Sequence, residues 1–226
     1  MSTLFIVSTP IGNLEDITLR AIRILKEVDL ILCEDTRETK KLLDKYEISK
    51  QLLSYNAHAT DARHTEVIEL LREGKNIALV SDAGTPTISD PGSMIVARAR
   101  EALGDELSIV PIPGPSALLS ALAASGFPAS DFLFLGFLPH KKGRETLFKE
   151  IAASERTVVF YESPHRFEKA LLQLSAVAVG RRICVARELT KLFEEVKVGT
   201  VEEISAYYTE NPDKMRGEFV VVVSSI

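Results

Sequence analysis

The stretch NIALVSDAGTPTISDPG, residues 76–92, carries the architecture of the chain in miniature. Ile77 to Val80 is an apolar run of strand length. Gly84, Pro86, Pro91 and Gly92 then punctuate a loop that bars any regular element. Behind it, residues 93–103 read as a helix. Strand, shaped loop and helix in this order are the repeating unit of an α/β protein. The loop is also chemically one-sided, holding Asp82 and Asp90 and neither lysine nor arginine.

The alternation extends in both directions. Upstream, residues 4–8 read as a strand, Thr18 caps a helix carrying Leu19, Ile22, Leu25 and Val28 at helical spacing, and residues 29–33 form a second strand. A helix over about 38–45, a short apolar piece at 52–55 and a helix over 61–72 ending at Gly74 lead back to the quoted strand. Residues 107–110 form one more. The prolines of Pro111-Ile112-Pro113-Gly114-Pro115 lack amide hydrogens, so no regular element is expected across them. They mark a join between two α/β domains, residues 1–112 and 113–226. Past a small-residue helix behind Ser116, strands are expected at 132–135, 157–161, 183–187, 194–198 and 218–224, with helices over 144–153, 165–174 and 201–210. No crossover helix separates all of these strands, so a mixed sheet is expected here, against a mostly parallel, Rossmann-like sheet in the first domain.

The chain has 226 residues, 46% of them hydrophobic, enough to bury a sizeable core. The first residues run straight into a turn at Thr9-Pro10, which predicts neither a signal peptide nor a membrane span and suits a cytoplasmic protein. Cys33 and Cys184 sit inside apolar runs, where buried thiols are expected and neither a disulfide nor a metal site. The net charge of −5 argues against coating nucleic acid by bulk attraction. Residues 1–112 hold 13 basic and 18 acidic side chains, whereas residues 113–226 hold 14 of each. A polyanion would therefore meet local patches: Lys40-Lys41, His140-Lys141-Lys142-Gly143-Arg144, Arg181-Arg182 and Lys214-Met215-Arg216.

Ligands of open α/β sheets bind beyond the carboxyl ends of the strands. The loops there show neither Gly-x-Gly-x-x-Gly nor a phosphate loop ending in Gly-Lys-Ser/Thr. Asp82, Asp90 and the carbonyls exposed by the turns favour a ligand that is cationic or rich in donors, such as an adenosyl sulfonium. The competing reading is that these are plain turns, with Asp82 and Asp90 capping helices.

The motifs STPIGNLEDIT (8–18), CEDTR (33–37), VSDAGTPTISDPG (80–92), PGPSA (113–117), GFLP (136–139), FYESPHR (160–166), ARELTK (186–191) and RGEFV (216–220) cover nearly the whole chain. In this order they resemble the ribosomal RNA small subunit methyltransferase I family, within the tetrapyrrole methylase superfamily. The resemblance implies a homodimer of two α/β domains with S-adenosyl-L-methionine in the cleft between them. It also implies methyl transfer to the ribose 2′-oxygen of a cytidine in the decoding region of 16S rRNA, within the small ribosomal subunit. It assigns the cofactor to Pro10, Leu14, Ser81, Asp82, Ala83, Gly84, Thr85, Ile88, Ser116 and Ala117, and in the second domain to Tyr161, Leu189 and Glu218. Longer members run on into a helical segment beyond the point matched by Ser224-Ser225-Ile226. Where the family usually reads His-x-His-Asn-Glu, this chain has Asn56-Ala57-His58-Ala59-Thr60, and only His58 matches.

A sulfonium leaves as a neutral thioether, so methyl transfer requires neither metal nor acid. Holding the reacting atoms in line contributes roughly 7–11 kcal/mol, against about 3–5 kcal/mol for a base giving 10²–10⁴-fold. Positioning dominates. Candidates for the base are Asp35, His58, Glu188 and, if its pKa is depressed, Lys191. Candidates for RNA contact are Arg37, Lys141, Lys142, Arg144 and Arg187, of which Arg37 and Arg187 could equally be ion-pair partners of adjacent acids. The alternatives are a methyltransferase acting on a corrin or tetrapyrrole precursor, and a non-catalytic binder of an adenosyl ligand.

Overall fold

Side chains alternate across each strand of the first half. On β1 (Ser2–Val7), Leu4 and Ile6 turn to one face of a sheet and Phe5 and Val7 to the other. The computed structural model describes residues 1–90 and 92–226, so Pro91 of the loop quoted above lies outside the described residues. They form two compact units, Met1–Ser116 and Ala117–Ile226.

In the first unit β1, α1 (Leu19–Glu27), β2 (Leu30–Cys33), α2 (Thr36–Lys45), β3 (Gln51–Ser54), α3 (Asp61–Arg72), β4 (Ile77–Leu79), α4 (Ser93–Leu103) and β5 (Leu107–Ile112) alternate along the chain. The five strands are all parallel, in the order β3-β2-β4-β1-β5. Ile31, Cys33, Ala78 and Val80 pack with Ala21, Leu25 and Leu42 under α1 and α2. Leu30, Leu32, Ile77 and Leu79 pack with Val67, Leu71, Ile95 and Ala99 under α3 and α4. Both faces are thus covered, as a parallel sheet requires. Thr18 and Thr60 cap α1 and α3 with their hydroxyls.

One expectation is corrected here. β5 runs on through Pro111 to Ile112, which pairs with Val7. The strand is a sheet edge. Ser8 N donates to Ile112 O at 3.2 Å, so Ile112 turns its polar groups toward β1, and Pro111, one residue back, turns its missing donor to the open edge.

The second unit comprises α5 (Ala117–Ser125), β6 (Phe132–Phe137), α6 (Arg144–Ala152), β7 (Thr157–Glu162), α7 (Pro164–Val177), β8 (Arg182–Arg187), β9 (Glu195–Thr200), α8 (Val201–Glu210) and β10 (Phe219–Val223). Its sheet is mixed, in the order β6-β7-β10-β8-β9: β6 and β7 are parallel, and the other three pairs antiparallel. On β10, Phe219, Val221 and Val223 join the core under α6, α7 and α8, while Val220 and Val222 face α5. Among the described residues no helix is long and apolar enough to cross a membrane.

Candidate active site

β4 and β1 are central neighbours, so their loops emerge side by side at the carboxyl end of the parallel sheet. They are sewn together. Thr9 N donates to Gly84 O at 2.9 Å, and Gly84 N to Thr9 O at 3.0 Å. The Thr9 hydroxyl donates to Ser81 O at 3.0 Å, and the hydroxyls of Ser8 and Thr85 lie 2.9 Å apart. Ser81 Oγ donates to Gly84 O. The join after β5 closes on the same place: a Cβ on Gly114 would lie 2.9 Å from Ser8 Cβ, so only glycine allows that approach. From β2, Asp35 N donates to Asp82 Oδ1 at 3.0 Å. Four loops therefore form one hydrogen-bonded rim in which Pro10, Ser81, Gly84 and Pro86 are buried and Leu14, Asp82, Ala83 and Ile88 are exposed. Ser116 is the last residue of this unit.

The rim is acidic. Desolvation, and after it the Glu34 carboxylate, pushes Asp90 up to about 6 against a hydrogen bond from Ser81. Desolvation also raises Asp82 and Glu34, each with a contribution from the Asp35 carboxylate. Neither Asp82 nor Asp90 caps α4: its N-cap is Gly92, with no side-chain bond. Glu34 was not among the sequence candidates. Nothing in a string of residues reports desolvation, and only its adjacency to Asp35 hinted at it.

Asp35 does cap α2, accepting from Arg37 N at 2.8 Å, and it holds the Arg37 guanidinium at 2.5 Å. These Arg37 bonds, side-chain first, pull its pKa down to about 2, which makes it a poor proton acceptor at neutral pH. His58 lies exposed in the turn after β3, its backbone N donating to Asn56 Oδ1.

In the second unit the structure brings together Glu188, Lys191 and Glu218. Lys191 Nζ donates to Glu188 Oε1 and Glu218 Oε2, both at 3.0 Å, and Glu218 N donates to Glu188 Oε1 at 2.9 Å. A Cβ on Gly217 would fall 2.5 Å from Glu188 Cδ, so glycine leaves room for that carboxylate. Partial burial works to lower Lys191, but its bonds to Glu218 and Glu188 outweigh this and its pKa is raised. The depressed pKa that a basic Lys191 required is absent, and that expectation is corrected. Burial works to raise Glu188, and hydrogen bonds from Glu218 N and Lys191 override it, so Glu188 is lowered. Tyr161 stands on β7, edge-on to Phe134 at 5.1 Å and Phe137 at 5.4 Å. Ala117 and Leu189 pack against the α5 face of the sheet.

Backbone strain marks both units in the same way. Thr87 (φ 75°) and Ser89 (φ 67°) flank Ile88, and Glu188 (φ 49°) and Thr190 (φ 67°) flank Leu189. Left-handed residues other than glycine cost of order 1–3 kcal/mol each and collect at functional sites. Four of the five among the described residues stand beside sequence-assigned cofactor positions.

Two RNA candidates are corrected. Arg144 is 3% exposed and bonds to Glu162, Gln173 and the Pro139 carbonyl. Arg187 is 9% exposed and donates to the carbonyls of Arg216 and Phe193. The periodicity that marks a surface helix says nothing of a guanidinium turned inward to a carboxylate or to carbonyls. Arg37, Lys141 and Lys142 are exposed.

A family model described as Tetrapyrrole (Corrin/Porphyrin) Methylases matches residues 3–205. Ribosomal RNA small subunit methyltransferase I of Thermotoga maritima is 50% identical over 225 residues, covering 99% of each chain. Its namesake in Bacillus subtilis is 47% identical over 224 residues, covering 99% of this chain and 75% of the relative. Among solved structures, the methyltransferase CobJ superposes with a TM-score of 0.68 at 22% identity, covering 99% of this chain and 93% of that one, which speaks for the fold.

The methyl donor of these enzymes is S-adenosyl-L-methionine. The first unit's rim suits it: the carboxylates of Asp82 and Asp90 answer a sulfonium and an ammonium, and the side chains of residues 80–90 carry no cation to repel them. One carboxylate about 4 Å from a cation contributes about 4 kcal/mol at an effective dielectric constant near 20. A matching family model and a relative 50% identical over 99% of both chains give one conclusion: the chain is a methyltransferase of the tetrapyrrole methylase family and belongs with the ribosomal RNA small subunit methyltransferases I.

Proposed function

We propose that the chain methylates the ribose 2′-oxygen of a cytidine in the decoding region of 16S rRNA, acting on the small ribosomal subunit in the cytoplasm as a homodimer. The observation that carries this reading is the 50% identity over 99% of both chains with a protein named for rRNA methylation. The exposed Lys141 and Lys142 supply the local positive charge that a chain of net charge −5 needs for an RNA substrate.

In this reading Pro10, Leu14, Ser81 to Thr85, Ile88 and Ser116 hold the donor, which supplies an electrophilic methyl on a leaving thioether. The chain's own part is largely positioning. The cross-bonded loops arrive preorganised, and Thr87 and Ser89 fix left-handed backbone on either side of Ile88. With Asp35 and Glu188 lowered and Lys191 charged, three of the four base candidates are weak proton acceptors. A modest contribution from base catalysis is therefore expected.

The test is incubation with labelled methyl donor and small subunits from a strain lacking the modification, followed by mapping of the label. Label on a cytidine ribose of the decoding region is expected. Label on a base, on a corrin precursor only, or on nothing would overturn the reading; the last would leave a non-catalytic binder.

A further inference from the structure

The second unit buries a charge network that methyl transfer as described does not use. Glu162 ends β7 with its carboxylate fully enclosed. Arg144 Nη2 reaches Oε2 at 2.8 Å, and Arg166 Nε and Ser163 N reach Oε1, each at 2.9 Å. The Arg144 side chain is 3% exposed and that of Arg166 18%. Two guanidiniums on one carboxylate leave a buried excess of one positive charge. Apolar side chains of the same volume would stabilise a fold as well or better, so such a cluster calls for another reason.

The donors not spent on Glu162 supply it. Arg166 Nη1 donates to Leu138 O at 2.9 Å and Arg144 Nη1 to Pro139 O at 3.1 Å, while Arg144 Nε is held by Gln173 at 2.8 Å. Leu138 and Pro139 immediately precede His140, Lys141 and Lys142, which are exposed. The far end of this loop closes on the same residue, since Arg144 N donates to Lys141 O at 3.2 Å and Gly143 takes the left-handed turn (φ 80°) into α6. The basic loop is thereby clamped at both ends to one carboxylate, whereas a mobile loop would lose conformational freedom on meeting RNA.

We propose that Glu162, acting through Arg144 and Arg166, is a positioning residue that presets the His140-Lys141-Lys142 loop for the RNA substrate. The inference rests on the rRNA reading above. It assigns Arg144 no contact with RNA and makes its burial the reason that its neighbours can have one.

The experiment measures steady-state methylation of unmodified small subunits, the salt dependence of their binding, and affinity for S-adenosyl-L-methionine. Lys141→Ala with Lys142→Ala lowers the salt slope by about two, one for each lost phosphate contact. Glu162→Gln keeps the shape, removes the charge, and raises KM for subunits about tenfold with kcat and donor affinity within about twofold. Arg166→Met, which frees Leu138 O while leaving Arg144 on Glu162, does the same to a smaller extent and serves if Glu162→Gln does not fold. An unchanged KM in Glu162→Gln or Arg166→Met, even with a lowered melting temperature, would make the network structural only and overturn the proposal. An unchanged salt slope in the double lysine variant would overturn it as well. Failure of the wild-type protein to methylate subunits would instead strike the rRNA reading itself.

Discussion

The two units solve opposite electrostatic problems at the carboxyl ends of their parallel strands. In the first, Glu34, Asp82 and Asp90 act on one another with no ion pair to a guanidinium among the described residues, and desolvation raises all three. In the second, Glu162 is overcompensated by Arg144 and Arg166 beneath a basic loop. The bonds to Asp82 and Asp90 in the first come from neutral groups, Asp35 N and Ser81, which is the arrangement the proposed cationic methyl donor would complete. Glu162 in the second finds all its partners within the chain, in Arg144, Arg166 and Ser163 N. Buried charge alone thus distinguishes nothing; what matters is whether its partners are already within the chain.

The contrast predicts effects of different size and kind. The largest belongs to the scaffold. Arg144→Met takes the partner from Glu162 Oε2, leaving Arg166 alone on Oε1, and costs about 3 kcal/mol, seen as a melting temperature lower by about 6–12 °C; a drop within a degree or two would show the network to be solvated. Next comes reversal in the cradle. Asp82→Lys weakens binding of the methyl donor about 100-fold, or about 2.7 kcal/mol, by titration calorimetry, and equal affinity would remove Asp82 from the site.

Smaller and opposite in sign is Asp90→Asn. Its carboxyl stands at about 6 against an ordinary 3.8. Well below pH 3.8 it is protonated in both folded and unfolded chains. Between about pH 4 and 6 the unfolded chain ionises while the folded one keeps its proton, and stability falls over that window by about 1–2 kcal/mol after allowance for solvent screening, the loss being complete once the folded carboxyl ionises above about 6. The variant escapes that loss and melts higher than wild type at pH 7.5 but not at pH 4, while binding the donor less well. A wild-type melting temperature at pH 7.5 would show the carboxyl to be solvated. The smallest effect is at Asp35. Asp35→Ala removes the α2 cap and, with a carboxyl already at about 2, leaves kcat within about tenfold. A thousandfold loss would restore Asp35 as the base.

Much of this was legible in residue order because local rules dominate there. The helix expected over 61–72 is α3, Asp61–Arg72, since Thr60 caps it and Gly74 follows it. The mixed sheet followed from strands without intervening helices. Pro111 misled because its penalty depends on which neighbour a strand has, and an edge has only one. Arg144 misled because a basic run reads as surface until a carboxylate 18 positions away is found beneath it.

By itself the sequence determined the α/β alternation, the absence of a phosphate loop, and the acidity of residues 80–92. Each depends on neighbours within a few positions, where capping, turn chemistry and composition act. Only the tertiary structure decided which acids are desolvated, which guanidiniums are buried and which base candidates are disarmed by ion pairs. Those outcomes are set by groups far apart in the chain, and the free energy of a charge depends on everything around it in space.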